Sequence, residues 1–204
     1  MLNFKMNENL IQKFGYSEMY EWDDTPLPEF RLGRFVTFSK DNPEKIRAVS
    51  SADQFVLGIT TVNSAIDSDD PDEWKYKNIC NEYGDLYLTK ERLAVGEKVY
   101  DQLNEMNFIK TYPWEHYVTI NNERYNPEAK YVKRTNRPEW IRVNLVGKAI
   151  VLDNGECRGG DWCMPYTGKI KELQGSAVPA TADAKNKFYV LGRLSEKTIL
   201  VLNK

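Results

Sequence analysis

The sequence predicts a mainly β fold of hairpins and meanders, with an extended inserted arm and at most short helices. Three observations predict it. From Gly33 the chain reads "GRFVTFS", with Phe35, Thr37 and Ser39 on one face and Val36 and Phe38 on the other, the two-residue period of a strand. "QFVLGITTV" is rich in β-branched residues. The last seventeen residues or so, "KFYVLGRLSEKTILVLN", place a polar turn over Ser195–Lys197 between two apolar runs, which is a hairpin signature.

The elements follow in order. Residues 1–14, "MLNFKMNENLIQKF", carry Leu2, Met6, Leu10 and Phe14 at i, i+4 steps, the spacing of a short amphipathic helix or an adapter to something upstream. Prolines punctuate "DDTPLPEF". "GRFVTFS", "KIRAVS" and "QFVLGITTV" then form an expected three-strand meander. From Asn63 to about Arg137 the character changes. An acidic run with Asp67, Asp69, Asp70, Asp72 and Glu73 reads as a solvated loop, and its spacing is not that of an EF-hand. "NEYGDLYLTKE" suggests a hairpin turning at Gly84–Asp85, "AVGEKVYDQLNEMNFIKTY" is open between strand and short helix, and "NNERYNPEAKYVKRTNRPEW" is polar and extended. This whole stretch, 63–137, is expected to be an arm inserted in the β body. β pattern returns at "WIRVNLVGKAIVLDNGECRGG", where two strands meet at Gly147 and Asn154–Gly155 marks a hairpin turn.

Composition bounds the chemistry. The chain has 204 residues with 41% apolar and 28% charged side chains, enough for one domain with a sizeable core or for two small ones. Lys plus Arg is 28 and Asp plus Glu is 30, a net charge of −2 that offers no global field for nucleic acid. The N-terminus lacks the apolar core of a signal peptide, and no apolar run approaches about 20 residues, so a soluble chain without membrane insertion is expected. Cys80, Cys157 and Cys163 are too few and too irregularly spaced for a disulfide framework or a zinc ribbon, and free thiols are favoured. His116 is the single histidine; an edge-strand role suits it better than a place in a Ser–His or Cys–His machine.

Two clusters carry candidate chemistry. "GYSEMYEWDD" gathers Glu18, Glu21, Asp23 and Asp24. Neighbouring carboxylates can divide their protonation between them and so supply acid and base for amide hydrolysis, but spacing alone favours solvated surface charge beside Trp22. Lys130, Lys133, Arg134, Arg137, Arg142 and Lys148 form a basic stretch. It suits a phosphate-bearing ligand, though ion pairs with the acidic run near Asp70 explain it better, and there is no P-loop. Five tryptophans beside charged residues suit either strand ends or a sugar-binding surface.

The ordered series "YSEMYEW", "LGRFVTF", "KIRAVSSADQFVLGI", "DEWK", "NEYGDLY", "NPEAKYVKRTNRPEW", "LVGKAIVLDNGEC", "GGDWCMP" and "GRLSEKTILVLNK" resembles the C-terminal intramolecular-chaperone and self-cleavage domains of phage tailspikes, of the neck-appendage type. The similarity runs from about Gly15 to the end of the chain. It implies a homotrimer that guides assembly of an upstream β-helical spike and then cuts itself free at its own N-terminal edge, as a glutamic-type peptidase. Residues 1–14 would lie upstream of the cut and 15–204 would form the domain. Phe14, Gly15 and Tyr16 would mark the cleavage edge, with Glu18, Glu21 and Asp24 as the acids. The resemblance links ATP to cleavage, requires no other cofactor and does not show how ATP would bind; the basic stretch itself offers Lys130, Lys133, Arg134 and Arg137 as phosphate contacts. It implies a protein made in the infected or lysogenic bacterium and then carried on the virion or released. Such families open with Asp, Tyr, a small residue and Glu; here Tyr16, Ser17 and Glu18 keep the pattern and Gly15 stands where Asp is expected, so the cut lacks that carboxylate and the loss of self-cleavage is one of the expected outcomes. Three readings follow: a self-cleaving assembly domain, a trimerisation domain without proteolysis, and a host-surface or glycan-binding head.

Overall fold

The structure is a computed structural model. It describes residues 14–24, 29–69, 73–74, 77–93, 98–101, 106–109 and 114–203. The helical spacing read over residues 1–14 therefore falls outside the described residues except at Phe14. The described strands, in chain order, are β1 Tyr16–Trp22, β2 Phe35–Phe38, β3 Lys45–Ala48, β4 Gly58–Thr61, β5 Ile66–Ser68, β6 Leu88–Leu93, β7 Lys98–Asp101, β8 Met106–Ile109, β9 Trp114–Thr119, β10 Trp140–Leu152, β11 Trp162–Pro165, β12 Ala177–Pro179, β13 Phe188–Arg193 and β14 Thr198–Asn203. Among the described residues, helical structure is confined to two single 3-10 turns, Arg134–Asn136 and Lys171–Leu173. The expected mainly β class is the observed one.

The chain divides into two compact units, Met1–Asp70 with Val132–Lys204, and Pro71–Tyr131. In the smaller unit β6 pairs with β9, and β7 pairs with β8. The stretch left open between strand and helix is thus a pair of strands. Around Gly84, whose φ of 86° suits a tight turn, Asn81 N–H donates to Asp85 O at 2.9 Å. Trp74 stands edge-on to Tyr131 with ring centroids 5.2 Å apart.

In the larger unit ten strands form one sheet in the order β12-β11-β13-β14-β10-β4-β2-β3-β1-β5. β10 also pairs with β1, so β1, β10, β4, β2 and β3 close on themselves as a small ring. Closure gives each of these strands two neighbours and leaves no free edge between them. The segment 35–61 is not a sequential meander: β4 pairs with β2 rather than β3. The turn after β3 explains the crossing. Arg47 clamps Asp53 with two bonds of 2.7 Å, and the same carboxylate accepts from Ser50 N–H and Ser50 Oγ–H at 2.8 Å. This folds the chain back across the sheet to the other side of β2.

β10 is one strand of thirteen residues, where the sequence suggested two meeting at Gly147. Gly147 takes φ of 104°, which bends the strand without breaking it. Before the bend its partners are β1 and β4; after it the partner is β14. Two cores sit on either side. One gathers Trp22, Val36, Ile46, Ile141 and Val143. The other includes Phe35, Ile59, Ala149, Val151, Ile199 and Val201, with Ala149 opposite Val201 and Val151 opposite Ile199 across the β10–β14 ladder. β13 and β14 form the hairpin expected at the C-terminus.

Asn154–Gly155 does turn the chain, with φ of 97° at Gly155, but does not make a β10–β11 hairpin. Buried Asp153 instead pairs with Arg193 of β13 and accepts from Cys157 N–H at 3.3 Å, while Arg193 also donates to Cys157 O at 2.6 Å. This ties the turn to the C-terminal hairpin. Cys157 and Cys163 are free thiols fully buried in the second core, and Cys80 is exposed.

The Arg47–Asp53 clamp has a pH signature. Burial pushes the Asp53 carboxyl up, but hydrogen bonds from Arg47 and Ser50 and the Arg47 charge outweigh it and hold the group at about 2. A folded value below the unfolded one near 4 adds stability above pH 4, which is lost as pH falls through 2. Asp53→Asn is expected to cost roughly 1–2 kcal/mol at pH 7, with the gap to wild type closing between about pH 4 and 2 in urea titrations.

Candidate functional site

β1 opens the larger unit and lies between β10 and β5. Alternation along it puts Tyr16, Glu18 and Tyr20 on one face and buries Ser17 and Met19 on the other. The Glu18 carboxylate accepts a hydrogen bond from Tyr16 Oη–H at 2.5 Å and from Tyr20 Oη–H at 2.9 Å. The bond to Glu18 pushes the Tyr16 hydroxyl above its ordinary range, and burial followed by the same carboxylate does so for Tyr20. Both phenols therefore remain protonated donors at neutral pH. Tyr20 is set by an edge-on contact with Phe38, centroids 6.0 Å apart.

The other acids of the segment do not join Glu18. Three residues on along a strand, Glu21 forms an ion pair with Lys45 on β3 at 2.6 Å. Asp23 accepts from Ser39 Oγ–H, and Asp24 is exposed. Sequence proximity suggested a carboxylate group; strand geometry separates it into single acids with their own partners.

At the front of β1 the backbone is tightly held. Gly15 has φ of 65°, in the left-handed region, and packs against β10. A Cβ at this position would lie 2.2 Å from Asn144 Nδ2 and 2.3 Å from Val146 O, and one at Gly147 would lie 2.8 Å from Gly15 Cα. Asn144 is itself buried and fixed: its Nδ2 donates to Lys148 O at 3.2 Å, and its backbone oxygen accepts from Asn203 Nδ2 at 2.9 Å. On the opposite side the segment before β5 supplies donors. Ala65 N–H points at Phe14 O (3.3 Å) and Gly15 O (3.1 Å), Ile66 N–H at Gly15 O (3.1 Å), and Ser64 Oγ lies 3.1 Å from the same oxygen. Phe14 lies along an apolar groove of about 190 Å³ with Leu32, Val62 and Leu152.

The basic cluster is divided. Lys130 is exposed on the smaller unit; Lys133, Arg134 and Arg137 belong to the larger one. Arg134 is only 2% exposed, bonds Asp69 O and the Asp69 carboxylate at 2.6 Å, and stacks 4.2 Å from the Trp140 ring centre. Arg142 Nε lies 3.0 Å from Asp67 Oδ1. These arginines tie the acidic run to β10, the pairing that spacing favoured. A second, open groove of about 470 Å³ is lined by Glu29, Arg31, Asn136, Arg137 and Arg142. Arg31 Nη1 is buried with no hydrogen-bond partner there among the described residues. Arg31 and Ser64 were not singled out by sequence; a lone Arg before a turn and a lone Ser in a loop carry no motif.

The sequence matches the family described as Peptidase_G2, IMC autoproteolytic cleavage domain, over residues 7–192. It is 26% identical over 136 residues to the pre-neck appendage protein of Bacillus phage B103, covering 67% of this chain and 13% of that protein. The fold is shared with pre-mature gene product 12 of bacteriophage phi29, at a TM-score of 0.64 and 18% identity, covering 95% of this chain and 22% of that one. It is shared also with the C-terminal fragment of the same gene product, at a TM-score of 0.58 and 19% identity, covering 93% and 99%. This chain thus spans a small part of the full-length proteins it resembles. A match over residues 7–192, most of the chain, shows that it belongs to the Peptidase_G2 family of IMC autoproteolytic cleavage domains.

Proposed function

We propose that this chain is the trimeric assembly domain at the C-terminal end of a phage tailspike-like protein, and that it cuts its own backbone within residues 14–16 with Glu18 as the acid–base group. The observation that carries this reading is the setting of Glu18: one carboxylate, oriented by two tyrosine hydroxyls, on the strand that begins at the cleavage edge. Family membership supports the self-cutting chemistry. Glu18 accepts the proton of an attacking water and returns it to the leaving nitrogen. Glu21 and Asp24 serve the fold and the solvent rather than the reaction.

The assembly role rests on physical need. Long parallel β structures fold slowly and expose edges while doing so. Three linked copies of a fast-folding end domain hold the upstream chains in register at high effective concentration. The partners are two further copies of the chain and the upstream spike segment, encountered in the bacterial cytoplasm during assembly, with the domain carried on the virion or released afterwards. ATP, where it takes part, fits the Arg31, Arg137 and Arg142 groove: the unpartnered Nη1 of Arg31 suits a phosphate oxygen, and the bound nucleotide would supply negative charge that links these side chains.

Light scattering is expected to give a mass three times the 23.7 kDa of one chain, and a monomer at high concentration would remove the assembly role. Glu18→Gln is expected to slow self-cleavage at least about 100-fold while leaving the oligomer intact, followed by intact-mass spectrometry. Gly15→Asp, which restores the family's usual residue, is expected to cost about 1 kcal/mol or more in urea denaturation and to bring no gain in cleavage, because the backbone there is left-handed and Val146 O occupies the Cβ position.

A further inference from the structure

We propose that the outer face of the β10–β14 ladder, with the groove beside Phe14, is the seat of residues 1–13, so that the chain upstream of β1 docks on the domain it leads into. This goes beyond the assembly and cleavage readings and holds whether or not the chain cuts itself.

The face is the wrong kind for water. Along the ladder Ala149, Val151, Ile199 and Val201 belong to the second core. The positions between them take the opposite face, where Ile150 is opposite Leu200, Lys148 opposite Leu202 and Leu152 opposite Thr198. An antiparallel strand with one face in water alternates apolar and polar residues. "AIVL" in β10 and "ILVL" in β14 do not: they are unbroken apolar runs, the pattern of strands covered on both sides. Yet Ile150 is 41% exposed, and Leu200 and Leu202 are only half-buried. The apolar surface continues past β10 onto Leu32 and Val62, both exposed, which line the groove together with Ile150 and Leu152.

The start of the described chain indicates the occupant. Phe14 already lines that groove, and its carbonyl accepts from Ala65 N–H at 3.3 Å. The chain preceding Phe14 therefore leaves from the groove itself. Crossing from β10 to the far side of β14 takes roughly 10 Å, and four residues of extended chain reach about 13 Å. The residue four before Phe14 is Leu10, with Met6 and Leu2 at the same interval beyond it and mostly polar residues between. Charge agrees with this occupant. Among the described residues of this ladder face Lys148 is the one that carries a charge, and Glu8 is the one acid among residues 1–13. A tethered segment needs little intrinsic affinity, because its effective concentration at an adjoining face is of millimolar order.

The test uses the full chain carrying Glu18→Gln, which keeps residues 1–13 attached, and a benzoylphenylalanine photo-cross-linker in place of Leu10. Irradiation is expected to give a product of one-chain mass under denaturing conditions, with the link mapped by peptide mass spectrometry to residues 148–152 or 198–202. Ile150→Asp is expected to lower the yield about tenfold or more, since a charge replaces the apolar contact. Lys148→Glu is expected to lower it about two- to fourfold. Melting curves show that each variant folds; should Ile150→Asp not fold, Lys148→Glu, at an exposed position, still decides. A two-chain product linked at the same residues gives the face to a second copy and overturns the proposal. A link elsewhere, or none, overturns it as well, and undiminished yield in the folded variants overturns the assigned face. A wild-type chain that stays intact with Mg-ATP counts against self-cleavage alone and leaves the cross-linking result standing.

Discussion

The backbone of Gly15 lies against the bend of β10, and the rest of the larger unit is arranged around that contact. Gly147 bends the strand and brings its own backbone within contact of Gly15; Asn144, three residues earlier, fills the space where a side chain would stand. Neither residue could do this on an unsupported strand. Asn144 is held through its backbone oxygen by Asn203, near the end of β14, and β14 is in turn locked by Ile199 and Val201 in the second core. The C-terminal hairpin therefore supports the N-terminal edge of the same unit, more than 180 residues away in sequence.

Charge plays a second, mechanical part. Arg134 and Arg142 could serve anions, yet Asp69 and Asp67 already engage them. Arg134 is almost fully buried beside Trp140, so removing the Asp69 carboxylate would leave an uncompensated buried charge, a loss of about 3 kcal/mol. These pairs fasten the residues flanking β5 to those flanking β10. With β1 between them, the donors of Ser64–Ile66 are fixed against Gly15. The same arginines that resemble a ligand site in sequence thus act first as struts, and Arg31, which lacks that motif, keeps a buried Nη1 without a hydrogen-bond partner among the described residues.

Much of the fold was legible. Strand alternation located β2, β3, β4, β13 and β14, and the closing hairpin followed from its turn residues. Pairing partners were not legible, because period 2 fixes which face a residue takes and not which strand lies beside it. The β4–β2–β3 order depends on the Arg47–Asp53 clamp, and the absent β10–β11 hairpin on the Asp153–Arg193 pair; both are side-chain events outside the strand pattern. At the site, resemblance supplied Glu18, while the structure sets Glu21 on Lys45 and leaves Asp24 exposed: residues three apart on a strand face opposite ways, and Asp24 lies beyond the end of β1. Gly15 read as a loss. In the fold it is the residue that the contact with β10 requires.

That requirement bears on when a cut could occur. The edge at Gly15 needs three pieces of chain that are distant in sequence: Gly15–Tyr16, Ser64–Ile66, and the Asn144–Gly147 bend. None holds that edge alone, and the bend is secured only when the last strand has docked through Asn203. An unfinished chain has the same peptide bonds and the same Glu18 but lacks the held edge. Effective molarity of the reacting groups then rises only on completion of the fold. A cut that depends on the last strand to form cannot precede folding, which is the order that an assembly domain must keep if it is to leave only after its work on the upstream chains is done.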